Sequence, residues 1–127
     1  MNEKMPKNYE NALQEMKENL IKEMKGKIKS IILYGSVARG EAREESDIDV
    51  MVILKNNSLY KKVLDIVFKI DLKNKTATSI FWATPKELIK YAKNGSPFLE
   101  NVAKEGVILY DDGTFTRIRK SIFKESG

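Results

Sequence analysis

Apolar positions along the chain follow two rhythms. Tyr9, Leu13, Met16, Leu20 and Met24 recur at steps of three and four, the stripe of an amphipathic helix, and Gly26 stops it. Residues 28–34, IKSIILY, are short and β-branched, with an apolar run that covers both faces. That pattern predicts a central strand packed on both sides. Gly35 breaks the strand, and residues 36–43, SVARGEAR, fit a short helix. Residues 47–54, DIDVMVIL, form a second strand with Ile48, Val50 and Val52 on one face and Asp47, Asp49 and Met51 on the other.

The second half continues the alternation. Tyr60, Val63, Leu64, Val67 and Phe68 share one face of a predicted helix, and residues 76–83, TATSIFWA, read as a third strand. Thr84, Pro85 and Glu87 make a capping box with proline at the first helical position, opening a helix with Leu88 and Tyr91 inward. Gly95-Ser96-Pro97 restarts a helix that carries Phe98 and Val102 and ends at Gly106. A last strand over 107–110, a DDG turn and a closing helix bearing Phe115, Ile118 and Ile122 follow. No repeat or linker interrupts the series. The expectation is one α/β (α+β) domain over 1–127, its core at about 8–112 and its last helix at about 114–124, with helices packed on a small mixed sheet.

Composition narrows the chemistry. The chain has 127 residues, 42% of them hydrophobic and 32% charged, which suits a folded domain. No apolar run approaches a membrane span and MNEKMPKNYE lacks a signal-peptide core, so a cytoplasmic protein is expected. With no cysteine and no histidine, thiolate and imidazole ligands are excluded, as is the usual general base. A metal here would be hard and oxygen-liganded. The net charge of +5 invites a basic nucleic-acid-binding adaptor as one reading, yet the lysines are scattered among acids, as on a solvated surface.

The informative segment is Gly35-Ser36, ten intervening residues, then Asp47-Ile48-Asp49. Residues i and i+2 of a strand share a face, so the two carboxylates stand side by side and repel unless a cation neutralises them. Mg²⁺ needs only one or two carboxylates when nucleotide phosphates and water complete its octahedron. Gly35 permits close approach of a phosphate, the Ser36 hydroxyl and nearby N–H groups can hold its oxygens, and Arg39 and Arg43 follow where a triphosphate would extend.

The segment GSVARGEAREESDIDVMV resembles the signature of the DNA polymerase β-like nucleotidyltransferase superfamily, and more closely its small prokaryotic "minimal nucleotidyltransferases". TPKEL after the third strand, NGSPFLENVAKEGVILYDDG and the chain length extend the resemblance over most of the sequence. The resemblance implies the polymerase β-like fold, with Gly35, Ser36 and Arg39 binding NTP phosphates and Asp47 and Asp49 as catalytic metal ligands. It implies transfer of a nucleoside monophosphate, AMP from ATP, to a hydroxyl with two Mg²⁺ ions. It also implies an antitoxin-like role with a small helical HEPN-type partner (higher eukaryotes and prokaryotes nucleotide-binding), whose tyrosine is the acceptor.

One position departs from the family pattern. The third carboxylate of the superfamily would fall at Thr78 or Ser79, where no acid is present. Asp71 lies upstream, and Glu87 is assigned to the capping box. A catalytically impaired module that binds NTP and a partner is therefore the alternative to an active enzyme. Trp82, Tyr34 and Tyr110 read as packing residues, and Met5, Met16, Met24 and Met51 as core filler or chain-start noise.

Overall fold

The first helical stripe and its stop produce α1 (Lys7–Glu23), and the apolar run after it produces β1 (Ile28–Tyr34). The computed structural model describes residues 5–43 and 45–126. It continues with α2 (Gly35–Ala38), β2 (Ile48–Leu54), α3 (Tyr60–Asn74), β3 (Thr78–Ala83), α4 (Pro85–Lys93), α5 (Pro97–Glu105), β4 (Val107–Asp111) and α6 (Thr114–Ser126). The four strands form one mixed sheet in the order β3-β2-β1-β4. β1 runs antiparallel to both neighbours, whereas β2 and β3 are parallel. A parallel pair needs a crossover, which α3 supplies.

Strand alternation divides the interior in two. Ile31, Leu33, Val50 and Val52 face α1 and α3, where Leu13, Met16, Leu20, Val63 and Val67 meet them. Ile32, Met51 and Ile53 face the other way, onto Leu88, Leu99, Val102, Phe115 and Ile118 from α4, α5 and α6. β1 is thus the central, doubly covered strand that its apolar run predicted, and Met5, Met16, Met24 and Met51 are all buried. No helix among the described residues is long and apolar enough to cross a membrane.

Four local expectations change. The helix expected over 36–43 is a single turn, because Gly40 takes a positive φ of 74° and turns the chain away. The strand expected from 76 begins at Thr78, because Asp71 uses the residues before it to end α3. Its Oδ1 accepts from the Thr76 hydroxyl at 2.6 Å and its carbonyl from the Thr76 N–H at 3.1 Å. On α3 the buried face is Val63, Ile66, Val67 and Ile70, while Leu64 and Phe68 are 37% and 61% exposed. A helix resting on one side of a sheet buries a narrower stripe than the apolar pattern offered. Leu88 is buried as expected, but Tyr91 is 40% exposed at the end of α4.

The capping box at α4 is complete. Glu87 N–H donates to the Thr84 hydroxyl at 3.3 Å, and the Glu87 carboxylate accepts from the Thr84 N–H at 2.9 Å and from Asn57 at 3.0 Å. The Thr84 N–H bond and the Asn57 bond favour the charged form and hold the Glu87 carboxyl below its ordinary pKa. Glu87 thus serves this cap through its Oε1.

Candidate active site at the end of the sheet

The end of β1 meets the beginning of β2 through antiparallel pairing that sets Tyr34 opposite Asp49. Gly35, the next residue, has φ of +76°, a region that side-chain-bearing residues rarely enter. A methyl group on Gly35 would overlap an Asp49 carboxylate oxygen and stand 3.1 Å from its Cγ. Glycine is therefore required twice here, for the backbone turn and for the space that the carboxylate fills.

Asp49 is half-buried and Asp47 exposed, one residue before β2 begins. Burial pushes the Asp49 carboxyl above its ordinary pKa and the neighbouring Asp47 charge adds to this, while Arg39 works against it. Burial, and after it the Asp49 charge, raises the Tyr34 phenol. Asp49 is thus the group that feels Asp47 and Arg39 and is felt by Tyr34. Tyr34, which the sequence suggested only as a packing residue, is thus a member of the site as well as an edge-on neighbour of Phe98 at 5.4 Å.

Parallel pairing decides between the two open positions on β3. Ser79 is the register partner of Asp49 and lies exposed on the same face of the sheet. Thr78 pairs with Ile48 and faces α3 instead, its hydroxyl donating to Asp71 Oδ1 at 2.8 Å and its N–H to Oδ2 at 3.0 Å. Asp71 is therefore occupied on the opposite side of the sheet from Asp49, and cannot stand in for an acid on β3.

Arg39 lies just past the single turn of α2, 41% exposed, between two acids. Its Nε donates to Glu41 at 3.0 Å and its Nη1 to Glu105 at 3.1 Å, and these bonds raise its already high pKa. Sequence spacing gave no hint of Glu105, which arrives from the end of α5. Ser36 is half-buried, and its carbonyl accepts from the Glu41 N–H at 2.9 Å. Arg43 is exposed and contributes its backbone to the turn that precedes Asp47.

As a donor set, the site consists of hard oxygens: two neighbouring carboxylates beside a glycine turn and an arginine. Among the described residues no cluster of three or more Asp, Glu, His or Cys could hold a cation alone. Two neighbouring carboxylates fit an ion that takes its remaining ligands from phosphate and water.

Residues 14–114 match the family described as Polymerase beta, Nucleotidyltransferase. The chain belongs to that family. It is 37% identical over 103 residues to a provisionally named protein adenylyltransferase (MJ0604) of Methanocaldococcus jannaschii, covering 81% of this chain and 99% of the relative. A second such relative from the same organism (MJ1305) is 32% identical over 120 residues, covering 91% of this chain and 78% of its own. The fold is also that of a crystal structure of a toxin–antitoxin with AMP-PNP, with TM-score 0.60, 16% identity and coverage of 87% of this chain and 84% of that one. The toxin–antitoxin MntA-HepT gives TM-score 0.50 at 15% identity, covering 89% and 88%. The protein is a nucleotidyltransferase of the polymerase β type, with the mixed α/β fold that its sequence predicted.

Proposed function

We propose that this protein transfers AMP from ATP, with Mg²⁺, to a hydroxyl group of a small helical HEPN-type partner, as an antitoxin-like protein adenylyltransferase. The observation that carries the reading is the Asp47–Asp49 pair beside Gly35, a carboxylate couple whose repulsion a cation would relieve. The likeness to relatives named for adenylyl transfer to protein supports ATP and a protein acceptor. The shared fold of the toxin–antitoxin structures supports the partner class. Leu64, Phe68 and Leu72, exposed along α3 beside the edge strand β3, offer apolar area for that partner to cover.

In this reading Asp47 and Asp49 would hold Mg²⁺, which when bound draws charge from the triphosphate oxygens. The Gly35 turn and Ser36 would receive the phosphates, with Arg39 and Arg43 as their counter-charges. The acceptor oxygen bonds to the α-phosphorus as the bond to the bridging oxygen breaks, and pyrophosphate leaves. The acceptor proton passes to solvent, because the residue facing Asp49 from β3 is Ser79, which is no base.

That same serine favours a second reading, in which the protein binds nucleotide well and turns it over slowly. Incubation with labelled ATP, Mg²⁺ and a co-expressed HEPN-type protein, followed by intact-mass measurement of both chains, separates the two. A gain of one AMP per acceptor hydroxyl on the partner supports the transferase. Mg²⁺-dependent ATP binding without any mass gain supports the binding module, and absence of both overturns the proposal.

A further inference from the structure

The turn in front of Asp47 is fastened from the far side of the sheet. Tyr9, in the first turn of α1 and 3% exposed, donates its hydroxyl to the Ser46 carbonyl at 2.6 Å and lies 3.2 Å from the Arg43 carbonyl. Those two residues also close the turn on themselves. The Ser46 N–H donates to the Arg43 carbonyl at 2.9 Å, and the Arg43 N–H to the Ser46 hydroxyl at 2.8 Å. Beyond Asp47, the Ile48 N–H donates to the Ala77 carbonyl at 2.8 Å. The backbone is held on both sides of a carboxylate that itself lies just outside β2.

This arrangement matters because Asp47 and Asp49 repel. An exposed aspartate on a loose turn would swing away from its like-charged neighbour, and a cation would have to pull it back at a loss of affinity. Packing does not explain the hydroxyl: Tyr9 sits in the apolar stripe of α1 with Leu13, Met16 and Leu20, and phenylalanine would fill the same space. Nor can Tyr9 touch a ligand, since its ring lies in the core on the α1–α3 side and Asp49 is on the other face.

We propose that Tyr9 is a positioning residue for the metal–nucleotide site, its hydroxyl clasping the Arg43–Ser46 turn so that Asp47 is held beside Asp49 before any cation arrives. The inference rests on the reading of Asp47 and Asp49 as the Mg²⁺–ATP site. The clasp acts through backbone carbonyls, as outer partners orient ligating groups in other metal sites.

The test is Tyr9→Phe in the full chain, with Mg²⁺ titrated in the presence of ATP by calorimetry. Loss of an outer-shell partner typically costs about 10–100-fold in metal affinity, so the half-saturating Mg²⁺ concentration should rise about tenfold. ATP affinity measured in EDTA should stay within twofold, a split that a general loosening of the fold would not give. An unchanged Mg²⁺ requirement overturns the proposal, and so does an equal loss of affinity with and without Mg²⁺. A second readout does not depend on binding: ¹⁵N relaxation in metal-free protein should report added motion at Asp47 in Tyr9→Phe and none at Asp49. Unchanged relaxation at Asp47 overturns the clasp. Absence of Mg²⁺-dependent ATP binding in the unmodified protein instead removes the site assignment, leaving the relaxation measurement to decide whether Tyr9 holds the turn.

Discussion

The Asp49 carboxylate lies against the α-carbon of Gly35, in space that any side chain on residue 35 would take. The contact joins the two halves of the signature, ten residues apart in sequence, across the β1–β2 pairing. Gly35→Ala should accordingly lose Mg²⁺-dependent ATP binding and also stability. The left-handed backbone alone costs a non-glycine residue about 1–2 kcal/mol, and displacement of Asp49 adds to it. Urea denaturation and calorimetric titration of the same preparation check both losses.

On the proposed function, Asp49 sets activity against stability. Its native pKa is raised above the ordinary 3.8 by burial and then by Asp47, so between the unfolded and native values the native state binds more protons. Folding stability from this group is therefore greatest below the unfolded pKa and falls as pH rises through the native one. Asp49→Asn should melt a few degrees higher than the unmodified protein at neutral pH without Mg²⁺, with little difference at pH 3. The same variant should lose Mg²⁺-dependent ATP affinity. Calorimetric scans across pH give the first result, and unchanged affinity would refute the ligand assignment.

Ser79 is the position at which an acid should increase turnover. A general base is typically worth about 10²–10⁴ in rate, and Ser79→Asp places a carboxylate opposite Asp49 on the same face. Transfer to the partner should speed up with ATP affinity little changed, while the metal-free protein melts lower because a third negative charge joins the pair. Thr78→Asp is the contrasting variant. It faces α3, loses the hydroxyl bond to Asp71 and sets a like charge beside it, so destabilisation without any gain in transfer is expected.

Arg39 is held by Glu41 and Glu105, which on the proposed function would compete with a triphosphate for its guanidinium. Glu105→Gln should raise ATP affinity a few-fold at low salt, the difference shrinking as salt screens the pair. Arg39→Ala should lower affinity and leave the melting temperature nearly unchanged. Titrations at two ionic strengths distinguish this competition from a supporting role for Glu105, in which its removal would weaken binding.

Short-range features were legible because their causes are local. The α1 stripe, the apolar β1 run, the Thr84–Glu87 capping box and the glycine at residue 35 each depend on spacing within a turn or along a strand. Asp47 and Asp49 were legible as a pair from their i, i+2 spacing, although Asp47 stands one residue before β2 and strand alternation does not fix its direction. Leu64, Phe68 and Tyr91 misled because an apolar face records what a helix can bury, whereas exposure depends on how much of that face a neighbour covers.

By itself, the sequence determined the order of helices and strands, and it supplied the two carboxylates on which the proposed hard-oxygen site rests. Tertiary structure alone decided that Ser79, and not Thr78, faces Asp49, because a parallel register is set by how β2 and β3 align after the α3 crossover. It also brought Glu105 to Arg39 from 66 residues away and Tyr9 to Ser46 from 37. No residue pattern encodes such contacts. They arise when α1 and α5 pack on opposite faces of one sheet, and packing fixes distances between segments that the chain's own periodicity leaves free.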